Sequence, residues 1–238
     1  MRKKIVLLTS LFFTNFSTNI YADNAQNESV LEAQAKILYP MNTMAISNSN
    51  RVEKWNSFSS SWSDLGYMGG WPVKMMTYAE SNILLAVHLD GRMGQWTGTN
   101  WEDLGFPGGW NLKMVAFDYK EAKYWSVGVD GNVGKWNGKS WYNFGNLDGW
   151  NVKMVAFDLA GTFWCVSEAG NMGRWNGKHI ENLGNLGGWK MKMIAFDKLG
   201  NLWGISNQGI IGKWNGNFWD TNGPINNLAL NWVFWSVK

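Results

Sequence analysis

Cysteine, proline, histidine and charge are all scarce in this chain of 238 residues. The single cysteine, Cys165, excludes an intrachain disulfide, so packing and closure must hold the fold together. The two histidines, His88 and His179, stand at unrelated points and join no metal-ligand spacing, so no metal site is expected. Four prolines and no Gly-X-Y period exclude collagen and proline-rich linkers. Charged residues make up only 16%, no more than the aromatic share, which excludes a disordered chain. The longest apolar run, residues 5–13, is too short to cross a bilayer, so no membrane span is expected. A phosphate-binding glycine loop and a nucleophile elbow are also missing, and neither an enzyme nor a cofactor is expected.

What is present begins with a leader. A basic start (Met1-Arg2-Lys3-Lys4), the short apolar run and a small residue at Ala22 read as a secretory signal peptide over residues 1–22. The expected location is therefore secreted or periplasmic. Arg2, Lys3 and Lys4 account for the whole formal charge of +3, and residues 1–22 hold no acid. The remainder is balanced, which removes support for nucleic-acid binding. Residues 23–35 are polar and non-repetitive, an N-terminal tail.

From residue 36 onward the chain repeats itself. Trp55, Trp96, Trp136, Trp175 and Trp214 follow one another at intervals of 41, 40, 39 and 39 residues. A second ruler, Gly-Trp, falls at Trp71, Trp110, Trp150 and Trp189. Self-similarity at this period marks a repeat architecture and outranks local propensity. The fullest unit, residues 149–184, contains four short runs rich in Val, Phe, Trp and Met, separated by Gly, Asn and Asp. Such runs are strands. Asp90-Gly91 and Asp130-Gly131 read as tight two-residue hairpins between second and third strands. Asn137-Gly138, Asn176-Gly177 and Asn215-Gly216 read likewise between third and fourth. Glycine and β-prone residues interrupt every stretch that a helical repeat would need.

A four-stranded antiparallel meander of about 40 residues is the size of a β-propeller blade. The expectation is an all-β protein, a small propeller of five four-stranded blades over residues 36–238, with six blades as the alternative. The segment 44–55 aligns with 203–214, so the first unit has a second strand, while its first strand near Ile37 to Tyr39 is degenerate. The tail LALNWVFWSVK resembles the opening strands of another unit, Phe234 to Val237 echoing Tyr124 to Val127. C-terminal strands are therefore expected to complete or reinforce the first blade.

The string GGW-x-x-K-M-[VI]-A-F-D-x-x-G-x-x-W, followed by a GKWNG hairpin, resembles the repeats of tachylectin-type and tectonin-type lectins, small propellers that bind sugars. The resemblance covers residues 36–238. It implies a sugar site at each blade junction, near the loop leading into Gly-Gly-Trp. On the matching positions the expected carbohydrate contacts are Trp71, Trp110, Trp150 and Trp189, with Lys74, Lys113, Lys153 and Lys192 three residues on. The implied partners are glycans, N-acetylated or methylated hexoses among them. The GKWNG hairpin is shorter here than the corresponding loop in tachylectin-type repeats. Chemistry agrees with the resemblance, because an indole face stacks on the C–H face of a pyranose and nearby donors orient its hydroxyls. Repeated weak sites on one scaffold would gain by avidity.

Other residues read as structural. The hairpin tryptophans, with Trp125, Trp164 and Trp203, are expected as interblade core. Asp118, Asp158 and Asp197 are expected to cap the hairpins that follow them. Cys165, beside Trp164 in a strand, reads as buried core. DLAGTFW and DKLGNLW are faint echoes of a sialidase Asp-box, but their spacing is wrong. A three-unit trefoil lectin cannot use five copies. The leading expectation is thus a secreted multivalent lectin, and the alternative is an exported protein–protein interaction scaffold.

Overall fold

One sequence rhythm, repeated, makes the strands. The computed structural model describes residues 43–56, 58–59, 61–80, 83–221 and 230–234. The expected leader, the tail, the Ile37–Tyr39 strand and the segment 235–238 lie outside the described residues. The first blade holds β1 (Met44–Ser47), β2 (Val52–Asn56) and β3 (Ser61–Gly66). The second is β4 (Val73–Tyr78), β5 (Leu84–His88), β6 (Met93–Trp96) and β7 (Trp101–Gly105). The third is β8 (Leu112–Asp118), β9 (Lys123–Gly128), β10 (Val133–Trp136) and β11 (Trp141–Gly145). The fourth is β12 (Val152–Phe157), β13 (Phe163–Ser167), β14 (Met172–Trp175) and β15 (Ile180–Gly184). The fifth is β16 (Met191–Phe196), β17 (Leu202–Ser206), β18 (Ile211–Trp214) and β19 (Trp219–Asp220), after which comes β20 (Leu230–Phe234).

The strands form five four-stranded antiparallel sheets. Four sheets are plain meanders, and the fifth has the order β20-β1-β2-β3. The chain is a five-bladed β-propeller, and its C-terminal strand supplies the missing innermost strand of the first blade. β20 pairs with β1 through Met44↔Phe234, Ala45↔Val233 and Ile46↔Trp232. Closure of this kind removes the exposed inner edge that the first blade would otherwise present. Trp232 tightens it further by donating its Nε1–H to the Met76 carbonyl at 2.7 Å.

The innermost strands β4, β8, β12, β16 and β20 neighbour one another in a ring around the axis. Blades buried on both faces need apolar residues at consecutive positions. MVAF and MIAF supply them, and Val115, Val155 and Ile194 are at most 1% exposed. Met154 and Met193 reach across blades, their sulfurs accepting the Ile194 and Val233 N–H groups at 3.1 Å. The flexible thioether fits such irregular gaps. A cavity of about 250 Å³ lies on the axis, lined by Met114, Met154, Met193 and Trp232 and, towards one end, Asp158 and Asp197.

The hairpins correct the sequence reading in detail. Gly91 donates to the His88 carbonyl at 2.9 Å, and His88 donates to the Arg92 carbonyl at 2.9 Å. That is a three-residue loop, in which only Gly91 takes a positive φ, at 93°. Asp90 stays right-handed because its Oδ1 accepts the Arg92 N–H at 3.1 Å and caps the turn from within. Gly131, at φ 82°, repeats the pattern with Asp130 and Asn132. In the outer hairpin the two central residues are Gly138 and Lys139. Asn137 sits just outside them and accepts the N–H groups of Lys139 and Ser140, each at 2.9 Å.

Candidate functional site: the grooves between blades

Each Gly-Trp tryptophan ends a one-turn 3-10 helix that carries the chain between blades. These turns are Met68–Gly70, Pro107–Gly109, Leu147–Gly149 and Leu186–Gly188. The indole then folds over a glycine in the third strand of its own blade. A Cβ at Gly94 would lie 2.5 Å from Trp71, and one at Gly134, Gly173 or Gly212 within 3.0 Å of Trp110, Trp150 or Trp189. The indoles are half-buried, and all but Trp150, whose blade has Ile180 in that place, pair with a fourth-strand tryptophan. Trp71 stacks on Trp101 at 5.9 Å and Trp189 on Trp219 at 5.4 Å, while Trp110 tilts against Trp141 at 6.0 Å. Trp101, Trp141 and Trp219 donate their Nε1–H to the Met68, Pro107 and Leu186 carbonyls at 2.7–2.8 Å, pinning each turn to the blade it enters.

The walls of the junctions come from other positions. A groove of about 400 Å³ between the second and third blades is lined by Leu85, Met93, Gln95 and Leu104 on one side. Tyr124, Trp136, Trp141 and Pro107 face them. A second groove, of about 340 Å³, separates the third and fourth blades. Trp125, Lys135 and Phe144 form one wall, and Phe157, Phe163 and Trp175 the other, with Asp118, Glu121 and Thr162 at its end. Trp125 stacks on Phe144 at 5.3 Å, and the Lys135 ammonium sits 5.3 Å over its ring while pairing with Glu121.

One wall residue of the second groove, Trp125, holds a buried donor with no acceptor among the described residues. Asp158 and Asp197 cap their hairpins as expected and also accept Trp164 and Trp203 Nε1–H at 3.1 and 2.9 Å. The hairpin of the third blade is one residue longer and turns through Ala122 at φ 52°. Asp118 accepts the Lys120 and Glu121 N–H groups, at 3.0 and 3.3 Å. The equivalent Trp125 Nε1–H is buried without a partner among the described residues. An orphaned donor of this kind costs about 1–3 kcal/mol unless something completes it.

Trp71, Trp110, Trp150 and Trp189 line neither groove directly; Trp110 backs Trp141, which does. Lys74, Lys113, Lys153 and Lys192 also line neither groove and sit half-buried on the innermost strands. Lys113 pairs with Glu168 at 2.5 Å, and Lys153 donates to the Met191 carbonyl at 2.7 Å. The structure therefore brings the four lysines towards one another and keeps each tryptophan with its own blade. The groove residues Trp125, Trp136 and Trp175 read as core in the sequence, and Tyr124 has no assigned role there. A signal was available: in Gly134-Lys135-Trp136 the period-2 alternation puts Trp136 on the same face as the glycine beneath Trp110. Cys165 is fully buried, and burial pushes its thiol up to about 12.

No protein-family model and no curated sequence matches the chain. Solved structures do match, at low identity. One, from work described as "The de novo evolutionary emergence of a symmetrical protein is shaped by folding constraints", is 17% identical with a TM-score of 0.54. The match covers 81% of this chain and 97% of the other. A putative gluconolactonase is 15% identical with a TM-score of 0.52, over 72% of this chain and 69% of its own. Likeness at this level shows the fold alone.

Proposed function

We propose that this protein is an exported, multivalent carbohydrate-binding propeller that takes hexoses in the grooves between its blades. The observation that carries the reading is the groove between the third and fourth blades. Its aromatic walls match the C–H face of a pyranose, and a small side-chain shift that uncovers the buried Trp125 Nε1–H would offer that donor to an acceptor on the sugar. An acetamido carbonyl suits that donor, in keeping with the N-acetylated hexoses that the lectin resemblance implies. Lys135 and Glu121 stand close enough to orient hydroxyls. The groove between the second and third blades repeats the arrangement with Trp136, Trp141 and Gln95. The Gly-Trp indoles Trp71, Trp110, Trp150 and Trp189 act by holding the walls, with an exposed edge left for contact. Binding rather than turnover is the proposed activity.

A glycan array at high surface density tests this. Trp136→Ala and Trp175→Ala are each expected to weaken the affected site up to about tenfold, the scale of one aromatic stacking contact. Absence of binding at high density, or binding unchanged in both variants, would sink the reading. One observation favours the interaction-scaffold alternative. Tyr119, Leu159 and Leu199, each in the hairpin that joins the first and second strands of its blade, are 43%, 61% and 77% exposed and project apolar groups on one face. A protein partner captured there, and not displaced by free sugar, would decide for the scaffold.

A further inference from the structure

Every innermost strand carries one residue too many near its start, and in four of the five that residue is lysine. The pairing jumps from Val73↔His88 to Met75↔Val87, which leaves Lys74 as the extra residue of a β-bulge. The same jump isolates Lys113 between Leu112 and Met114, Lys153 between Val152 and Met154, and Lys192 between Met191 and Met193. In the closing blade Asn231 holds the place, between Leu230 and Trp232. A bulge breaks the ladder and re-aims its side chain. The bulged strands ring the axis, so the device sets four ammonium groups around one mouth of the channel, opposite the Asp158 and Asp197 end.

The groups turn towards the neighbouring blades. Lys153 Nζ donates to the Met191 carbonyl at 2.7 Å, and Lys192 Nζ to the Leu230 carbonyl at 3.5 Å and Asn48 Oδ1 at 3.3 Å. Lys113 Nζ meets Glu168 at 2.5 Å and keeps a side chain only 25% exposed. Lys74 has no hydrogen bond and no carboxylate at ion-pair distance among the described residues. The one carboxylate whose charge favours its ammonium among the described residues, Asp90, already meets His88 at 2.8 Å and Arg92 at 2.9 Å. Burial is the main cause that lowers the ammonium groups of Lys74, Lys153 and Lys192, and the charge of Lys113 depresses both Lys74 and Lys153 further. Like charges gathered and half-desolvated destabilise a fold until a counter-charge joins them.

We propose that the lysine-bulge mouth of the channel is an anion site for a compact, multiply charged oxyanion, a phosphate or sulfate group, either free or carried as an ester. Lysine suits this role because it meets a phosphate as a movable point charge with three donors. The site is separate from the grooves and does not depend on the glycan reading.

Calorimetric titration of the full protein with pyrophosphate, at fixed ionic strength set by sodium chloride, tests the proposal. Millimolar concentrations keep the experiment below the range in which excluded salts stabilise every protein. Saturable binding with a Kd below about 1 mM is expected. Lys74→Gln, which breaks no hydrogen bond, is expected to weaken it at least fivefold, and Lys74→Gln with Lys153→Gln to abolish it. Lys178→Gln on an exposed outer hairpin, and Trp136→Ala in a groove, are expected to leave it unchanged. Titrations with inorganic sulfate and with a sulfated monosaccharide separate the two sources, tighter binding of the ester meaning that the group arrives on a sugar. No saturable binding of any of the three anions, or equal affinity in the double variant, would overturn the site. Loss of glycan binding with the anion titration intact would overturn only the lectin reading.

Discussion

Two places in the ring lack an indole that the other blades possess, and at both a carboxylate stands in the space. Into the fifth blade the connecting turn passes through Gly187, where a Cβ would lie 2.8 Å from Trp214 and 2.9 Å from Trp219. Gly69 and Gly108 occupy the same tight position against Trp96, Trp101, Trp136 and Trp141. Into the fourth blade the fourth-strand residue is Ile180, and Asp148 replaces the glycine at φ 51°. Its carboxylate fills the room left by the missing ring and accepts the Ile180 N–H at 2.5 Å. The first blade lacks a Gly-Trp indole, and Glu53 takes the third-strand place that glycine holds at 94, 134, 173 and 212. Glu53 is only 5% exposed and, unlike that of Asp148, its carboxylate has no hydrogen bond among the described residues. The difference teaches that glycine in these repeats is set by a neighbouring indole, not by the turn alone, and that an acid can fill the gap with or without a partner.

The comparison breaks most violently at Gly187. Gly187→Asp forces a side chain into two indoles, and overpacking of that kind costs about 1–3 kcal/mol. A domain of this size should lose roughly 3–10 °C of Tm. Trp219→Ile alone removes a large buried ring and its bond to Leu186, at a cost of about 3 kcal/mol. The double variant recreates the Asp148–Ile180 pair, so its loss should fall short of the sum of the singles by at least 1 kcal/mol. Strict additivity in thermal unfolding would show that the pairing is coincidence.

The reverse change is milder. Asp148→Gly strips the acceptor from the Ile180 N–H, a loss of about 1–3 kcal/mol, offset in part by relief of a positive φ at a non-glycine residue. A net loss near 1 kcal/mol is expected by denaturant unfolding, with the slope unchanged. A gain in stability would mean that Asp148 contributes nothing beyond filling space.

Blade number, strand order and closure were legible because the tryptophan ruler and the echo of the tail in the first strands are properties of spacing. The tail resembles the first two strands of a unit, and Leu230 to Phe234 builds the first of them, since Trp232 and Val233 take the places of Met193 and Ile194; the echo of a second strand in Phe234 to Val237 runs beyond the described residues. Hairpin geometry was misread at Asp90-Gly91 because a dipeptide does not reveal that the aspartate caps its own turn. The grooves stayed hidden for a different reason. Trp125, Trp164 and Trp203 are equivalent in sequence, and only the one-residue insertion before Trp125 deprives its nitrogen of an acceptor. The lysines were visible as a repeat, but their meeting at one mouth depends on bulges that no local pattern announces.

Glu53 gives the smallest effect and separates the two carboxylates most cleanly. Burial is the main cause that raises its acid above the ordinary glutamate range, the Asp64 charge adds to this, and Arg51 opposes it. A group with a raised folded pKa binds its proton more tightly in the folded state. Its contribution is therefore most favourable in acid and declines as pH rises from the unfolded value through the folded one. At pH 7 the ionised form is partly desolvated and its carboxylate has no hydrogen bond among the described residues, so Glu53→Gln should stabilise the protein by up to about 1 kcal/mol. Near pH 4 and below, where the acid is neutral, the advantage of Gln should vanish. Asp148→Asn, by contrast, keeps a carbonyl for the Ile180 N–H and should show no such gain at neutral pH. Unfolding midpoints of the two variants measured from pH 4 to pH 8 decide the matter. Parallel curves for Glu53→Gln and the parent would mean that Glu53 is solvated as well as Asp148 is bonded, and that the first blade suffers no penalty for its missing indole.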